Sequence, residues 1–191
     1  MILKNTIISL LTFIIFNNYS TAQDYFISQK DLQENKGVDA IIKQDVMRVK
    51  LDDFDQVIIE KKVVATILNH KGLNSIHRNF YYDKENKIIN LKAEVYNSSG
   101  EIIKKIREKD FQDRAYVDGF SLFNDLRVKS LEYRSSIYPY TIVYESVTKS
   151  NNTATLPSFY FVKNYNTKVL ESSFIFENKT VSIRCETACH N

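Results

Sequence analysis

Apolar and polar residues alternate with period two along much of this chain. Ile89, Leu91, Ala93 and Val95 alternate with Asn90, Lys92 and Glu94, which predicts a strand with four apolar side chains on one face. Ile142, Tyr144 and Ser146 alternate with Val143, Glu145 and Val147, the pattern of a strand covered on both faces. Near the C-terminus, Leu170, Phe174 and Phe176 are expected to share a face, with Glu171 and Glu177 opposite. These segments are rich in Val, Ile, Tyr, Phe and Thr, the residues that suit a pleated surface.

Punctuation between the runs is regular. Asn69-His70-Lys71-Gly72 separates Val57–Leu68 from Ser75–Tyr82, and Asp83-Lys84-Glu85-Asn86 turns the chain into Lys87–Tyr96. Asn97-Ser98-Ser99-Gly100 turns it again into Ile102–Ile106. Short turns between successive apolar runs predict antiparallel neighbours rather than parallel crossovers. With only 4 Gly and 2 Pro, the turns must lean on Asn, Asp and Ser. Asp24–Asp39 reads as a polar lead-in with a helical turn at Gln29–Glu34. Lys109–Phe123 reads as a long connection with a short helix. No longer segment keeps a helical period. The expected fold is all-β, an antiparallel β-sandwich with one short helix or irregular connection, because each half-covered sheet needs a second layer.

The two ends read differently. Met1-Ile2-Leu3-Lys4 is a short positive start, Ile7–Phe16 a compact apolar run, and Ser20-Thr21-Ala22 supplies small residues for cleavage. Residues 1–22 are therefore expected to be a signal peptide, leaving no stable membrane span after cleavage, because Asn17-Asn18 stops the apolar run short of bilayer thickness. No cysteine follows the cleavage point to accept a lipid. The destination is the periplasm, the cell envelope or the exterior. Residues 23–184 are expected to form one β-sandwich domain, and 185–191 a disordered or truncated tail. The chain of 191 residues is 43% hydrophobic and 26% charged, ordinary values for a soluble domain.

The formal charge is +3, with acidic and basic residues interleaved, so no basic face argues for nucleic acid. Glu60-Lys61-Lys62 and Lys104-Lys105 are read as solvated strand ends. The two cysteines, Cys185 and Cys189, lie close together at the end, so the fold does not depend on bridges. They could close a small loop with each other, of little consequence for chain entropy.

Candidate chemistry is thin. The histidines are His70, in a turn, His77, expected in a strand in register with Ser75 and Asn79, and His190. None has a nucleophile and orienting group at recognisable spacing, and neither a Gly-x-Ser-x-Gly elbow nor a Gly-rich phosphate loop is present. Cys185, Cys189 and His190 crowd one end without the second ligand pair that zinc wants. Asp110, Asp113, Asp118 and Asp125 fit no calcium loop. Asp118-Gly119 reads as turn chemistry, and Asp125 beside Arg127 as a structural pin. No catalytic residue, metal or cofactor is assigned, and any binding residues stay unassigned. Among 12 Tyr and 12 Phe, the group Tyr138, Tyr140, Phe159, Tyr160 and Phe161 is the best surface for a partner, although packing explains it more simply. Pro139 opens the strand at Tyr140, where a missing donor costs little.

Several motifs resemble one bacterial envelope family, the domain of unknown function 3857. The most specific are Asp118–Lys129, with Asn124-Asp125-Leu126-Arg127-Val128-Lys129 at its end, Tyr138-Pro139-Tyr140-Thr141, and Asn152-Thr153 through Leu156-Pro157-Ser158. Lys36–Ile41, Lys62–Asn69 with Gly72, Glu94–Asn97 with Gly100–Ile102, and Lys109-Asp110-Phe111 resemble its earlier parts. Phe159 stands where the family is expected to carry tryptophan. The resemblance implies a β-rich domain that usually precedes a transglutaminase-like domain with a cysteine, histidine and aspartate triad. His190 lies too close to Cys185 to complete such a triad, so no catalytic residue carries over. The ending Ile183–Asn191 looks truncated, frameshifted or deliberately short. The expectation is a non-catalytic module whose partner is a transglutaminase-like domain, an envelope protein or a peptide. The alternative is a fragment of a transglutaminase-like cysteine peptidase or transamidase.

Overall fold

The structure, a computed structural model, describes residues 25–53, 55–76, 78–116, 125–154, 156–162 and 164–178. Helix α1 (Gln29–Glu34) follows the lead-in and stands where the helical turn is expected. The strands are β1 (Ala40–Asp53), β2 (Gln56–Ile67), β3 (Asn79–Tyr82), β4 (Asn86–Tyr96), β5 (Ile102–Arg107), β6 (Gln112–Ala115), β7 (Arg127–Ser130), β8 (Tyr140–Ser150), β9 (Thr167–Val169) and β10 (Ser172–Asn178). They form two sheets, as the alternating pattern requires. The larger has the order β10-β1-β2-β8-β4-β5, with β9 also beside β1, and the smaller β3-β7-β6.

β4–β5 is an antiparallel hairpin, as the turn Asn97–Gly100 implies, and β1–β2, which the sequence reading did not single out, is another. Two connections behave otherwise. β9 and β10 both run parallel to β1, closing the sheet edge with chain from the far end of the sequence. β3 lies in the other sheet and pairs with neither β2 nor β4, so the turns Asn69–Gly72 and Asp83–Asn86 pass between sheets and do not make the antiparallel neighbours expected of them; the 3-10 turn Gly72–Ser75 carries the chain across the layer. That turn occupies Ser75, so the strand expected from Ser75 begins only at Asn79. The stretch read as a connection from Lys109 is also more regular than expected. It carries a 3-10 turn at Glu108–Asp110 and strand β6, which pairs with β7.

The core fills the space between the sheets. Val63, Ala65 and Ile67 of β2, Tyr140, Ile142 and Tyr144 of β8, and Leu91, Ala93 and Val95 of β4 point into it. Phe80 of β3 meets Phe111 and Tyr144 edge to face, at 5.7 and 5.5 Å between ring centres. That geometry suits aromatic quadrupoles better than stacking. A second cluster gathers Met47, Val49 and Val57, with Phe159, Phe174 and Phe176 against it. Leu170 does not share the Phe174 and Phe176 face; it lies before β10 and is exposed.

One residue of the expected β4 face is displaced. The β4–β8 register shifts between Ile88 and Asn90, so Ile88 packs against the core and Ile89 is 57% exposed. An extra residue inverts the parity of everything before it.

Two glycines separate steric from conformational need. A Cβ on Gly72 would lie 2.2 Å from the carbonyl oxygen of Asp39, which cannot retreat because it accepts a hydrogen bond from the Leu68 amide at 3.0 Å. Gly37 has φ +99° and open space around it. Gly72→Ala is therefore expected to lower unfolding stability by about 2–3 kcal/mol in urea titration. Gly37→Ala is expected to cost about 1 kcal/mol, through backbone strain alone. Equal losses at both positions would contradict this division.

Candidate functional site

The outer face of the larger sheet is only partly covered. The lead-in crosses one end of it, anchored by Tyr25, whose ring centre lies 4.2 Å from that of Tyr96, and by buried Ile27, whose amide donates to the Ser98 carbonyl at 3.1 Å. Burial first, and then the Glu94 carboxylate accepting its hydroxyl at 2.6 Å, push the Tyr96 phenol well above its ordinary pKa. Beyond Ile27 the chain enters α1 through a capping box. The Ser28 hydroxyl accepts from the Asp31 amide at 3.0 Å, and the Asp31 carboxylate accepts from the Ser28 amide at 2.9 Å. The Ser28 hydroxyl, which also donates to the Asp31 carboxylate at 2.7 Å, and then the Ser28 amide hold that carboxyl below the usual carboxylate range.

α1 buries none of its residues. It stands off the sheet and leaves a cavity of about 470 Å³ beneath it. The floor is Ile41, Val64 and Thr66; Lys43, Lys62, Lys168, Leu170 and Glu171 complete the walls with Asp31 and Glu34 of the helix. An apolar floor with convergent polar walls is the form of a binding site.

A second cavity, about 520 Å³, opens between the two sheets. Met47, Ile59, Lys61, Phe80, Ser146 and Phe159 are among its lining residues. Lys61 and Lys62 therefore do not sit at a strand end, as the sequence reading had it. They lie mid-strand in β2 on opposite faces, Lys61 in the inner cavity and Lys62 in the outer. The signal was available: Val57, Ile59, Val63, Ala65 and Ile67 keep one parity, and Lys61 interrupts that row.

The proposed aromatic surface divides in two. Tyr140 is buried, with Tyr138 and Tyr133 against it at 5.5 and 5.6 Å. Phe159 packs on Phe161 and Phe174 at 5.0 and 5.8 Å, next to exposed Tyr160. Burial raises the Tyr140 phenol far above its ordinary range. The Asp125–Arg127 pin is not formed. Asp125 pairs with Lys84 at 3.4 Å, whereas Arg127 binds Asp113 at 3.0 Å. His70 is exposed in its turn. His77, Asp118, Cys185, Cys189 and His190 lie outside the described residues, as do the leader 1–22 and the tail 185–191.

A two-layer β-sandwich with ligand-sized cavities on both sides of its main sheet is the class this geometry defines. The chain belongs to the family described as "Domain of Unknown Function with solved-structure structure (DUF3857)", whose model matches residues 55–190. The match starts at the turn of the β1–β2 hairpin, so α1, Lys36–Ile41 and all of β1 precede it. No curated protein matches. Among solved structures, a "putative protease" from Parabacteroides distasonis is 14% identical with TM-score 0.46, covering 64% of this chain and 24% of that one. Aminopeptidase A of Legionella pneumophila, in complex with aspartic acid, is 12% identical with TM-score 0.27, covering 60% of this chain and 11% of that one. The chain thus spans a quarter or less of either protein, and at those scores neither likeness bears on function.

Asp113 is the most heavily bonded carboxylate of the small sheet. Its oxygens accept from the Tyr82 hydroxyl at 2.7 and 2.9 Å, from Arg127 Nε at 3.1 Å and from Lys129 Nζ at 3.2 Å. Burial alone would raise its pKa, but the bonds from Tyr82, Lys129 and Arg127 outweigh it, and the carboxyl lies below its usual range. Asp113→Asn is expected to cost about 1 kcal/mol at neutral pH. Since the folded pKa is the lower one, that contribution is complete above the unfolded value and is lost as pH falls through the folded value. The gap between the two proteins should therefore begin to close below about pH 4, followed by thermal melts across pH. A gap that stays constant down to pH 2 would assign the loss to packing.

Proposed function

We propose that this chain is a non-catalytic module of the bacterial envelope, exported by its leader, that serves as an accessory or binding domain for an envelope protein or peptide. In this reading it works apart from a transglutaminase-like domain. The supporting observation is the cavity beneath α1, an apolar floor walled by lysines and carboxylates. Such walls orient a bound partner, whereas acid–base or nucleophilic chemistry needs groups within hydrogen-bond reach of one another.

Incubating the purified chain with peptide substrates and with glutamine donors tests the reading. No turnover above the uncatalysed rate is expected. Turnover abolished by Cys185→Ala or His77→Ala would instead make the chain a cysteine enzyme. Turnover surviving Cys185→Ala, Cys189→Ala and His77→Ala would point to a catalytic site elsewhere in the sandwich. The DNA beyond codon 191 separates a fragment from a self-standing module: a transglutaminase-like region there, in frame or shifted, would identify a fragment.

A further inference from the structure

Six charged side chains line the cavity under α1: Lys43, Lys62, Lys168, Asp31, Glu34 and Glu171. Their formal charges cancel, yet their bonding does not. Asp31 is closed on Ser28. Glu34 pairs with Lys30 at 3.7 Å, and Glu171 accepts from Gln44 at 3.3 Å. Lys43 donates to the Phe26 carbonyl at 3.1 Å. Lys62 and Lys168 make no hydrogen bond or ion pair among the described residues.

The register explains why Lys62 is left over. Glu145 of β8 lies opposite Lys62 of β2 on one side and Lys92 of β4 on the other. Its carboxylate closes on Lys92 at 2.8 Å. That hydrogen bond, with the attraction of the two charges, raises the Lys92 pKa. Lys168 stands opposite Ile41, and Lys62 opposite Val46, on the two sides of β1. At about 3.3 Å per residue and about 4.8 Å per strand, the two lysine backbones are roughly 15 Å apart along β1 and about 10 Å apart across it, about 18 Å in all, and their flexible stems shorten the gap between ammonium groups. Leu170, 59% exposed, offers apolar surface beside the path between them, above the buried Ile41 and Val64 of the floor.

We infer that this cavity binds a short extended acidic peptide, its carboxylates taken by Lys62 and Lys168 and an intervening apolar side chain set against Leu170 over the Ile41 and Val64 floor. Alternate residues of an extended peptide face one way about 7 Å apart, and residues four apart about 13 Å, leaving about 5 Å that the two lysine stems can bridge. Charge-assisted bonds to the two ammonium groups supply the selectivity. The inference rests on the binding-module reading and names the ligand class of its cavity.

The test titrates the full chain with acetyl-Glu-Val-Glu-Val-Glu-amide and with its Gln-Val-Gln-Val-Gln counterpart at low and high salt, by calorimetry and amide chemical shifts. The acidic peptide should bind saturably and at least tenfold more tightly than the neutral one, and weaken as salt rises. Shifts should centre on Ile41, Val64 and Lys168. The double variant Lys62→Gln, Lys168→Gln should lose at least tenfold, while the double variant Lys87→Gln, Lys149→Gln keeps full affinity. Circular dichroism establishes that both variants fold. Equal binding of the two peptides, unchanged binding by the Lys62, Lys168 variant, or no saturable binding by the wild type would each overturn the inference. Only turnover in the substrate assay overturns the non-catalytic reading, so the two fail separately.

Discussion

Insertion of β8 between β2 and β4 is the constraint on which the sandwich depends. Residues Tyr140–Ser150 pair antiparallel with Val57–Ile67 on one side and with Asn86–Tyr96 on the other. Tyr140, Thr141, Ile142, Val143 and Tyr144 are buried in succession, so both faces of β8 are covered at this end. The hydroxyls of Thr66 and Thr141 bond at 2.9 Å in the buried outer layer, the arrangement expected for a cross-strand Thr pair. All of these contacts join segments far apart in sequence. The two flanking hairpins can form locally, but the main sheet exists only once β8 has arrived.

Much of this was legible in the residues, and its limits have physical causes. Hairpin β4–β5 and the helical turn at Gln29–Glu34 follow from periodicity and turn chemistry, which are local. Which strand neighbours which is not local. No short-range signal tells that β8 enters between β2 and β4, or that β10 runs parallel to β1. Ile89 fails for a different reason, because a bulge inverts parity without changing composition. Asp125 and Arg127 lie two apart on the chain, but the sheet register offers Arg127 the carboxylate of Asp113 instead. The candidate site was harder still. Its floor comes from β1 and β2, its rim from α1, and one wall from the β9 region, so only the assembled sheet brings its residues together.

The outer face beyond the cavity has a different character. Glu177 meets Arg48 at 3.2 Å, Lys50 meets Glu60 at 2.6 Å, Lys92 meets Glu145 at 2.8 Å and Lys105 meets Glu94 at 3.8 Å. These pairs step across the sheet from β10 to β5. Each is partly exposed and contributes little to stability. Their collective effect is to keep a flat sheet face wetted and resistant to nonspecific association.

Lys62 belongs to that ladder by position and leaves it by pairing. The face alternates charges so that each cation has a carboxylate beside it, and the one carboxylate between Lys62 and Lys92 serves Lys92. The surplus cation falls at the boundary where the ladder gives way to Ile41, Val64 and Leu170 under α1. A helix with an apolar face would have settled onto that floor and filled the space. α1 is instead Gln29-Lys30-Asp31-Leu32-Gln33-Glu34, with its hydrogen bonds satisfied internally by the Ser28 box and its position fixed by Tyr25 and Ile27. A polar helix held by its flanks, over an apolar floor beside a surplus cation, encloses a cavity whose shape and charge arise from separate features of the sequence. The main core lies on the other side of β2, and only the small cluster of Val64, Tyr96 and Val143 beneath Tyr25 shares the cavity's face.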